Sequence, residues 1–169
     1  MILIVSSTKN TNYQLANTLA SLGSELGIQS EVISLEDFTL PLYTPCEEDK
    51  ETPQNAIVLT EKFTKAKGLV ILAPEYNGSL PPILNNAVAW VSRSGNEDWR
   101  AAFNGKPVVV GTRSGGGGIK VCQAMRTMFE HLGSLVLPRH IVTSSQRSLS
   151  EDSGKAILTQ LHKLSEALS

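Results

Sequence analysis

The chain has 169 residues, of which 41% are apolar and 18% charged, with a formal net charge of −1. A length of this order is that of one domain, enough to bury roughly 70% of the unfolded chain's surface, and the composition excludes wholesale disorder. No basic excess exists to neutralise the phosphates of a nucleic acid; Cys46 and Cys122 lie too far apart for a CxxC motif, and His131, His140 and His162 have no metal-ligand spacing.

The start of the chain, Met1 to Ser7, has no basic leader and no small-residue cleavage site, and no apolar run approaches the ~20 residues that span a bilayer. A soluble, cytoplasmic protein is the expectation. Ile2-Leu3-Ile4-Val5 is an unbroken branched apolar run, the pattern of a parallel strand covered on both faces. Thr11-Asn12-Tyr13-Gln14 has capping-box spacing and predicts a helix with Leu15, Leu19, Leu22 and Leu26 on one side. Residues 31–35 read as a weaker strand, and 36–51, with Leu40-Pro41-Leu42-Tyr43-Thr44-Pro45, as a long surface connection. Thr52-Pro53 places an N-cap before a proline at the first helical position.

Residues 69–73 and 108–110 are two further buried-strand runs. Between them Ser79-Leu80-Pro81-Pro82 opens a helix carrying Leu84, Ala87, Val88 and Val91. A fourth helix has the stripe Ile119, Cys122, Met125, Phe129 and Leu132, stopped by Gly133. Residues 135–137 form a weaker strand, and Leu158, Leu161, Leu164 and Leu168 mark the last helix. This alternation predicts an α/β sandwich, one domain over 1–169, with a five-stranded parallel sheet of order 2-1-3-4-5.

In such a sheet ligands sit beyond the carboxyl ends of the strands, where the strand order reverses. The turns after the first, third and fourth strands meet there and have unusual composition: Ser6, Ser7, Thr8, Lys9, Asn10, Thr11 and Asn12; Pro74, Glu75, Tyr76, Asn77 and Gly78; Arg113, Ser114, Gly115, Gly116 and Gly117. Hydroxyls, amides and free N–H groups at a helix start suit a terminal phosphate, with Lys9 the single cation; the same residues also make a capped serine–threonine turn. Neither a Walker loop nor GxGxxG occurs there, which favours a monophosphate over a nucleoside triphosphate. The run Gly115 to Gly118 permits close backbone approach to a flat ligand, or is simply a loose loop before a helix.

At these turns the sequence resembles the NAD(P)H-dependent FMN reductases, the flavodoxin-like quinone and azo reductases. The segment Pro74-Glu75-Tyr76-Asn77-Gly78-Ser79-Leu80-Pro81-Pro82-Ile83-Leu84-Asn85-Asn86-Ala87-Val88-Ala89-Trp90 is similar to the family's PEYN-G/H-S-x-P-x-x-L-K-N-A-x-D-W signature, with Asn85 where lysine is usual and Ala89 where aspartate is usual. The likeness runs on through residues 37–43, 105–118 and 132–138, while the first turn lacks the common Gly-Ser-x-Arg opening. It implies a flavodoxin-like fold and FMN as cofactor, its phosphate on residues 6–12 and its ring against 74–78 and 113–117. It further implies NAD(P)H as electron donor, hydride passing through flavin N5 in a ping-pong scheme to a small acceptor (a quinone, a flavin or a similar compound), and a homodimer or homotetramer. Catalytic side chains are not expected, because the flavin carries the chemistry.

Duller roles stand beside these. Glu75 reads equally as a solvated turn carboxylate, Arg113 as a surface ion-pair partner, Trp90 and Trp99 as core or subunit-contact anchors, and Cys122 as inert packing. An electron carrier without turnover of its own is the alternative function, although carriers need a charged docking face and the acids here are scattered. A serine hydrolase lacks its GxSxG elbow, since Gly111-Thr112-Arg113-Ser114-Gly115 misplaces the serine.

Overall fold

A computed structural model describes residues 1–94, 98 and 100–168. Trp99 lies outside the described residues. In chain order the elements are β1 (Ile2–Ser6), α1 (Thr11–Glu25), β2 (Ser30–Ser34), a 3-10 turn (Leu35–Asp37), α2 (Pro45–Glu48), α3 (Gln54–Lys65) and β3 (Gly68–Leu72). They continue with α4 (Pro82–Arg93), β4 (Pro107–Arg113), α5 (Ile119–His131), β5 (Leu135–Val136), β6 (Ile141–Thr143) and α6 (Glu151–Ala167).

All strand pairs are parallel and the order is β2-β1-β3-β4-β5, as the alternation predicts. β6 also pairs with β4, through Gly111, Thr112 and Arg113. The fifth position is thus one line of chain broken over 137–140, where Pro138 has no N–H to give the ladder. A three-residue strand following a proline leaves no period to read, so the sequence shows only its first half.

Period-two alternation divides the core. Leu3, Val5, Leu69, Ile71, Val108 and Val110 face α3, α4 and α5, whereas Ile2, Ile4, Val70, Leu72 and Val109 face α1 and α6. Helices therefore cover both faces, and nearly every side chain of β1, β3 and β4 is buried. Among the described residues no helix is long and apolar enough to cross a membrane.

Several helix expectations are corrected. α1 begins at Thr11, with Asn10 as N-cap and no side-chain cap, so the capping box does not form. α3 is preceded by Pro53 rather than entered by it. In α6 Leu158 and Leu161 are buried but Leu164 and Leu168 are exposed; Gly154, Ile157 and Ser165 take the inner face instead. A Cβ at Gly154 would stand 2.7 Å from Leu22 Cδ1, so the glycine is what lets α6 lie against α1. Leu26, expected on the buried side of α1, follows its last turn and is exposed.

At the amino end of the sheet Lys106 is buried, its Nζ donating to the carbonyls of Phe63 (2.5 Å) and Thr64 (3.0 Å) in the last turn of α3. Burial pushes the amine down to about 8. Between that value and the ordinary 10.5 the unfolded chain holds more protons than the folded one, so stability rises with pH across this window. Denaturant titrations at both ends of the window are expected to show wild type gaining on Lys106→Met as pH rises. Parallel behaviour of the two proteins would refute this account, and the pairwise comparison cancels the opposite trend of the buried Cys122 thiol, which both share.

Candidate functional site at the carboxyl rim of the sheet

The turns after β1, β3 and β4 do converge, and specific hydrogen bonds tie them together. The turn after β1 is joined to the end of β3, since Ser7 donates to the Leu72 carbonyl from both its N–H (2.8 Å) and its Oγ (3.1 Å). Asn12, buried in the first turn of α1, reaches β4: its Oδ1 accepts from the Arg113 N–H (2.7 Å) and its Nδ2 donates to the Arg113 carbonyl (3.2 Å). The side-chain amide expected to meet a ligand is thus a clamp between two turns. A contact across 101 residues leaves no trace in local spacing.

Within the first turn Ser6 is buried and its Oγ donates to the Thr8 carbonyl (2.7 Å). Lys9 is exposed; its ammonium pairs with Asp37, which raises its pKa, and its N–H donates to Glu36 Oε2 (2.5 Å). Its charge is matched there by the segment after β2 rather than left free, as the sequence suggested. The Tyr13 and Gln14 N–H groups bond the Asn10 carbonyl, which leaves the N–H groups of Thr11 and Asn12 at the start of α1 without an intrahelical acceptor, beside Thr8 and Asn10. That helix end carries roughly half a positive charge, so the turn favours an anion without a basic cluster.

After β3, Tyr76-Asn77-Gly78-Ser79 closes a two-residue hairpin, with mutual backbone bonds between Tyr76 and Ser79 of 3.2 and 2.9 Å. Asn77 (φ 52°) and Gly78 (φ 70°) both have positive φ, the requirement of a type I′ turn and the reason for an Asn-Gly pair. Tyr76 is left 48% exposed at the mouth of the rim. Glu75 is not merely solvated: it accepts from the Val121 N–H (3.3 Å) in the first turn of α5, a helix whose own N-cap, Gly118, has no side chain. Its carboxylate also helps burial push the Cys122 thiol up to about 11, in keeping with inert packing.

The glycine run divides into two pairs. Gly117 (φ 91°) and Gly118 (φ 70°) have left-handed backbone, and a Cβ at Gly118 would stand 2.3 Å from Thr112 Cγ2. Gly115 and Gly116 have neither positive φ nor any atom within 4 Å of a built Cβ. Nothing in the fold calls for glycine at those two positions, and both open onto the rim. Below the loop the buried Thr112 Oγ1 has no hydrogen-bond partner. Both observations fit a flat polar molecule lying against this turn.

Trp90, by contrast, belongs to the core. It is 2% exposed, its Nε1 donates to the Pro41 carbonyl (2.7 Å), and Tyr43 packs edge-on at 5.3 Å, so it pins the long connection to α4. Asn86 adds two bonds to the same segment, from Nδ2 to the Pro41 carbonyl (3.0 Å) and from the Tyr43 N–H to its Oδ1 (2.7 Å). Among the described residues no group of three His, Cys, Asp or Glu side chains is placed to hold a metal.

The profile of the NADPH-dependent FMN reductases matches residues 1–148. A 2-hydroxy-1,4-benzoquinone reductase of Burkholderia sp. is 34% identical over 114 residues, covering 67% of this chain and 58% of that protein. A quinone reductase of Escherichia coli K12 is 29% identical over 151 residues, covering 86% of this chain and 77% of that one. Among solved structures, FerB of Paracoccus denitrificans, a flavoenzyme NAD(P)H:(acceptor) oxidoreductase, superposes with a TM-score of 0.71 at 19% identity over 99% of this chain and 93% of that one. Flavodoxins are also among the structural neighbours. The chain spans little more than half of the first relative's length and about three quarters of the second's. With its sheet order and this profile match, the chain belongs to the NADPH-dependent FMN reductase family, NAD(P)H-dependent oxidoreductases of flavodoxin-like fold with FMN as cofactor.

Proposed function

We propose that the chain is an FMN-dependent oxidoreductase that takes hydride from NAD(P)H and reduces a small acceptor of the quinone or flavin class in alternating half-reactions. The observation that carries this reading is the pair Gly115 and Gly116, bare of side chains without structural need, on a rim where three turns are locked together. Bound there, FMN supplies a ring that accepts hydride and passes two electrons on.

The chain's own part is to bind and orient. Backbone N–H groups at the start of α1 and the hydroxyls of Thr8 and Thr11 hold the phosphate, with Asn10 beside them, while Ser6, Ser7 and Asn12 keep that turn in shape. Lys9 stays with Asp37. Pro74, Glu75, Tyr76, Asn77 and Gly78 form one wall for the ring. Arg113, Ser114, Gly115, Gly116 and Gly117 form the other; the N–H groups of Arg113, Ser114 and Gly116 bond Asn12 Oδ1, the Thr143 carbonyl and Ser114 Oγ, which leaves those of Gly115 and Gly117 to favour negative charge on its carbonyl edge.

Residues 1–169 act as a single FMN-binding unit, since the two apolar clusters share the strands of one sheet. Leu42, 73% exposed beside the Trp90 anchor, and Tyr76 support assembly into a homodimer or homotetramer. The free thiols of Cys46 and Cys122 suit a reducing cytoplasm.

Protein incubated with FMN is expected to stay yellow after desalting and to lose that colour when NADPH is added without air, with no second protein present. Colour that persists until a separate reductase is added would mean a carrier instead. Thr11→Ala should weaken FMN binding about tenfold, the usual effect of one charge-assisted hydrogen bond. Thr11 lies inside α1 and does not cap it, so the melting temperature should barely move. Ser145→Ala, in an exposed turn, should bind FMN as wild type does. Equal affinities in the two variants would remove Thr11 from the phosphate site.

A further inference from the structure

Glu75 is the one acidic side chain in the two walls of the rim, and it stands where they meet. It is half-buried, and its Oε2 accepts from the Val121 N–H (3.3 Å) where α5 leaves the glycine turn. α5 has no cap of its own: its N-cap is Gly118, its first turn holds no acidic residue, and the Ile119 and Lys120 N–H groups make no hydrogen bond among the described residues. From the end of β3 Glu75 supplies the negative charge that a helix start favours. Its field reaches inside α5, since it adds to the effect of burial on the Cys122 thiol. Among the described residues it has no ion pair with Arg113, Lys120 or any other cation, whereas Glu31, Glu48, Glu61 and Glu166 each have a Lys or Arg partner.

The two walls of the proposed ring site therefore act on charge in opposite senses. The glycine turn offers the open N–H groups of Gly115 and Gly117, which favour negative charge between the walls. Glu75 offers an unpaired carboxylate, which opposes it. Glutamine supplies the same acceptor oxygen to Val121 without the charge, so the bond and the charge are separable by experiment.

We propose that Glu75 tunes the bound flavin as well as capping α5: its carboxylate weakens the hold on reduced FMN relative to oxidised FMN, and so drives electrons on to the acceptor. This rests on the oxidoreductase reading above. A hydride taken from NAD(P)H leaves NAD(P)+ and adds two electrons and one proton to the ring, hence one unit of negative charge. The same hydride, with one proton from solvent, turns a quinone into its hydroquinone and returns the ring to its starting charge. A fixed negative charge beside the ring makes the first transfer harder and the second easier.

Reductive titration of FMN-loaded protein against a reference dye, followed in the flavin absorbance, reads the ratio of the two affinities. Glu75→Gln keeps the bond to Val121 and loses the charge; it should raise the preference for reduced FMN about tenfold, an upward shift of about 30 mV in the two-electron potential. Glu75→Asp keeps the charge but is too short for the Val121 bond; it should melt lower than wild type and hold a potential close to the wild-type one. In single turnovers with NADPH and then with a quinone, Glu75→Gln should be reduced faster and reoxidised more slowly. A solely structural residue would give the reverse, with Asp shifted, Gln not, and both half-reactions impaired together, and that result would overturn the proposal. Should Glu75→Gln fail to fold, Glu75→Ala replaces it beside Glu75→Asp, since both lack the bond and they differ in charge. Glu61→Gln, exposed on α3 and paired with Lys65, should leave the potential unchanged. Wild-type protein that takes up no FMN would overturn the oxidoreductase reading itself, whereas uptake with equal potentials in every variant would overturn only the role of Glu75.

Discussion

Gly118→Ala is expected to be among the most damaging single-methyl changes on this chain, whereas Gly116→Ala, two residues earlier, should leave the fold untouched. An alanine at φ 70° already costs about 1 kcal/mol. The added Cβ also meets Thr112 Cγ2 at 2.3 Å, and Thr112 is fully buried with a β-branched side chain that has little freedom to turn. Together these should remove about 3 kcal/mol, or about 6–12 °C of melting temperature for a domain of this size.

Thr112→Ser in the Gly118→Ala background takes away the clashing methyl and should restore part of the loss, leaving the backbone cost. Gly116 has open space around its Cβ position and no positive φ, so its alanine variant should melt like wild type. It should nonetheless bind FMN at least tenfold more weakly, because the methyl enters the space the ring is to occupy. Thermal melts and flavin titrations on the same preparations decide this. A Gly116→Ala protein with normal flavin affinity would place the ring elsewhere.

Asn12→Ala is the second large effect. It withdraws both partners of the Arg113 backbone and leaves a partly buried N–H and carbonyl without them, a cost of about 2 kcal/mol. The same change unlocks the turn after β1 from the end of β4, so flavin affinity should fall in step with stability. Asn12→Asp separates these contributions: its carboxylate keeps the bond from the Arg113 N–H but opposes the Arg113 carbonyl, and its charge repels a phosphate at the start of α1. It should therefore lose more flavin affinity per degree of melting temperature than Asn12→Ala. Equal ratios for the two variants would mean that Asn12 has no influence on the phosphate beyond folding.

The legible part of this molecule is what local chemistry fixes. Branched runs at Ile2 to Val5, Leu69 to Leu72 and Val108 to Val110 announce strands covered on both sides, and the Asn77-Gly78 pair announces its turn. The three turns with unusual composition meet at one rim, as the strand order requires. What escapes a local reading is every feature made by chain distant in sequence. Lys9 looks free until Glu36 and Asp37 return beside it, and Glu75 looks solvated until the start of α5 arrives. Asn12 looks like a ligand amide until β4 passes it. Leu164 and Leu168 continue a helical stripe that turns away from the sheet, because Ser165 takes the place against Gly68 of β3, while Gly154, small and poor in apolar signal like Ser165, lies against Leu22 of α1.

The interrupted fifth strand also bears on how the protein behaves in a crowded solution. An intact outer strand would offer a continuous row of unsatisfied amides and carbonyls, a template on which a second chain could grow a β-ribbon. Here that margin comes as a two-residue and a three-residue piece with Pro138 between them, too short and too discontinuous to seed such growth.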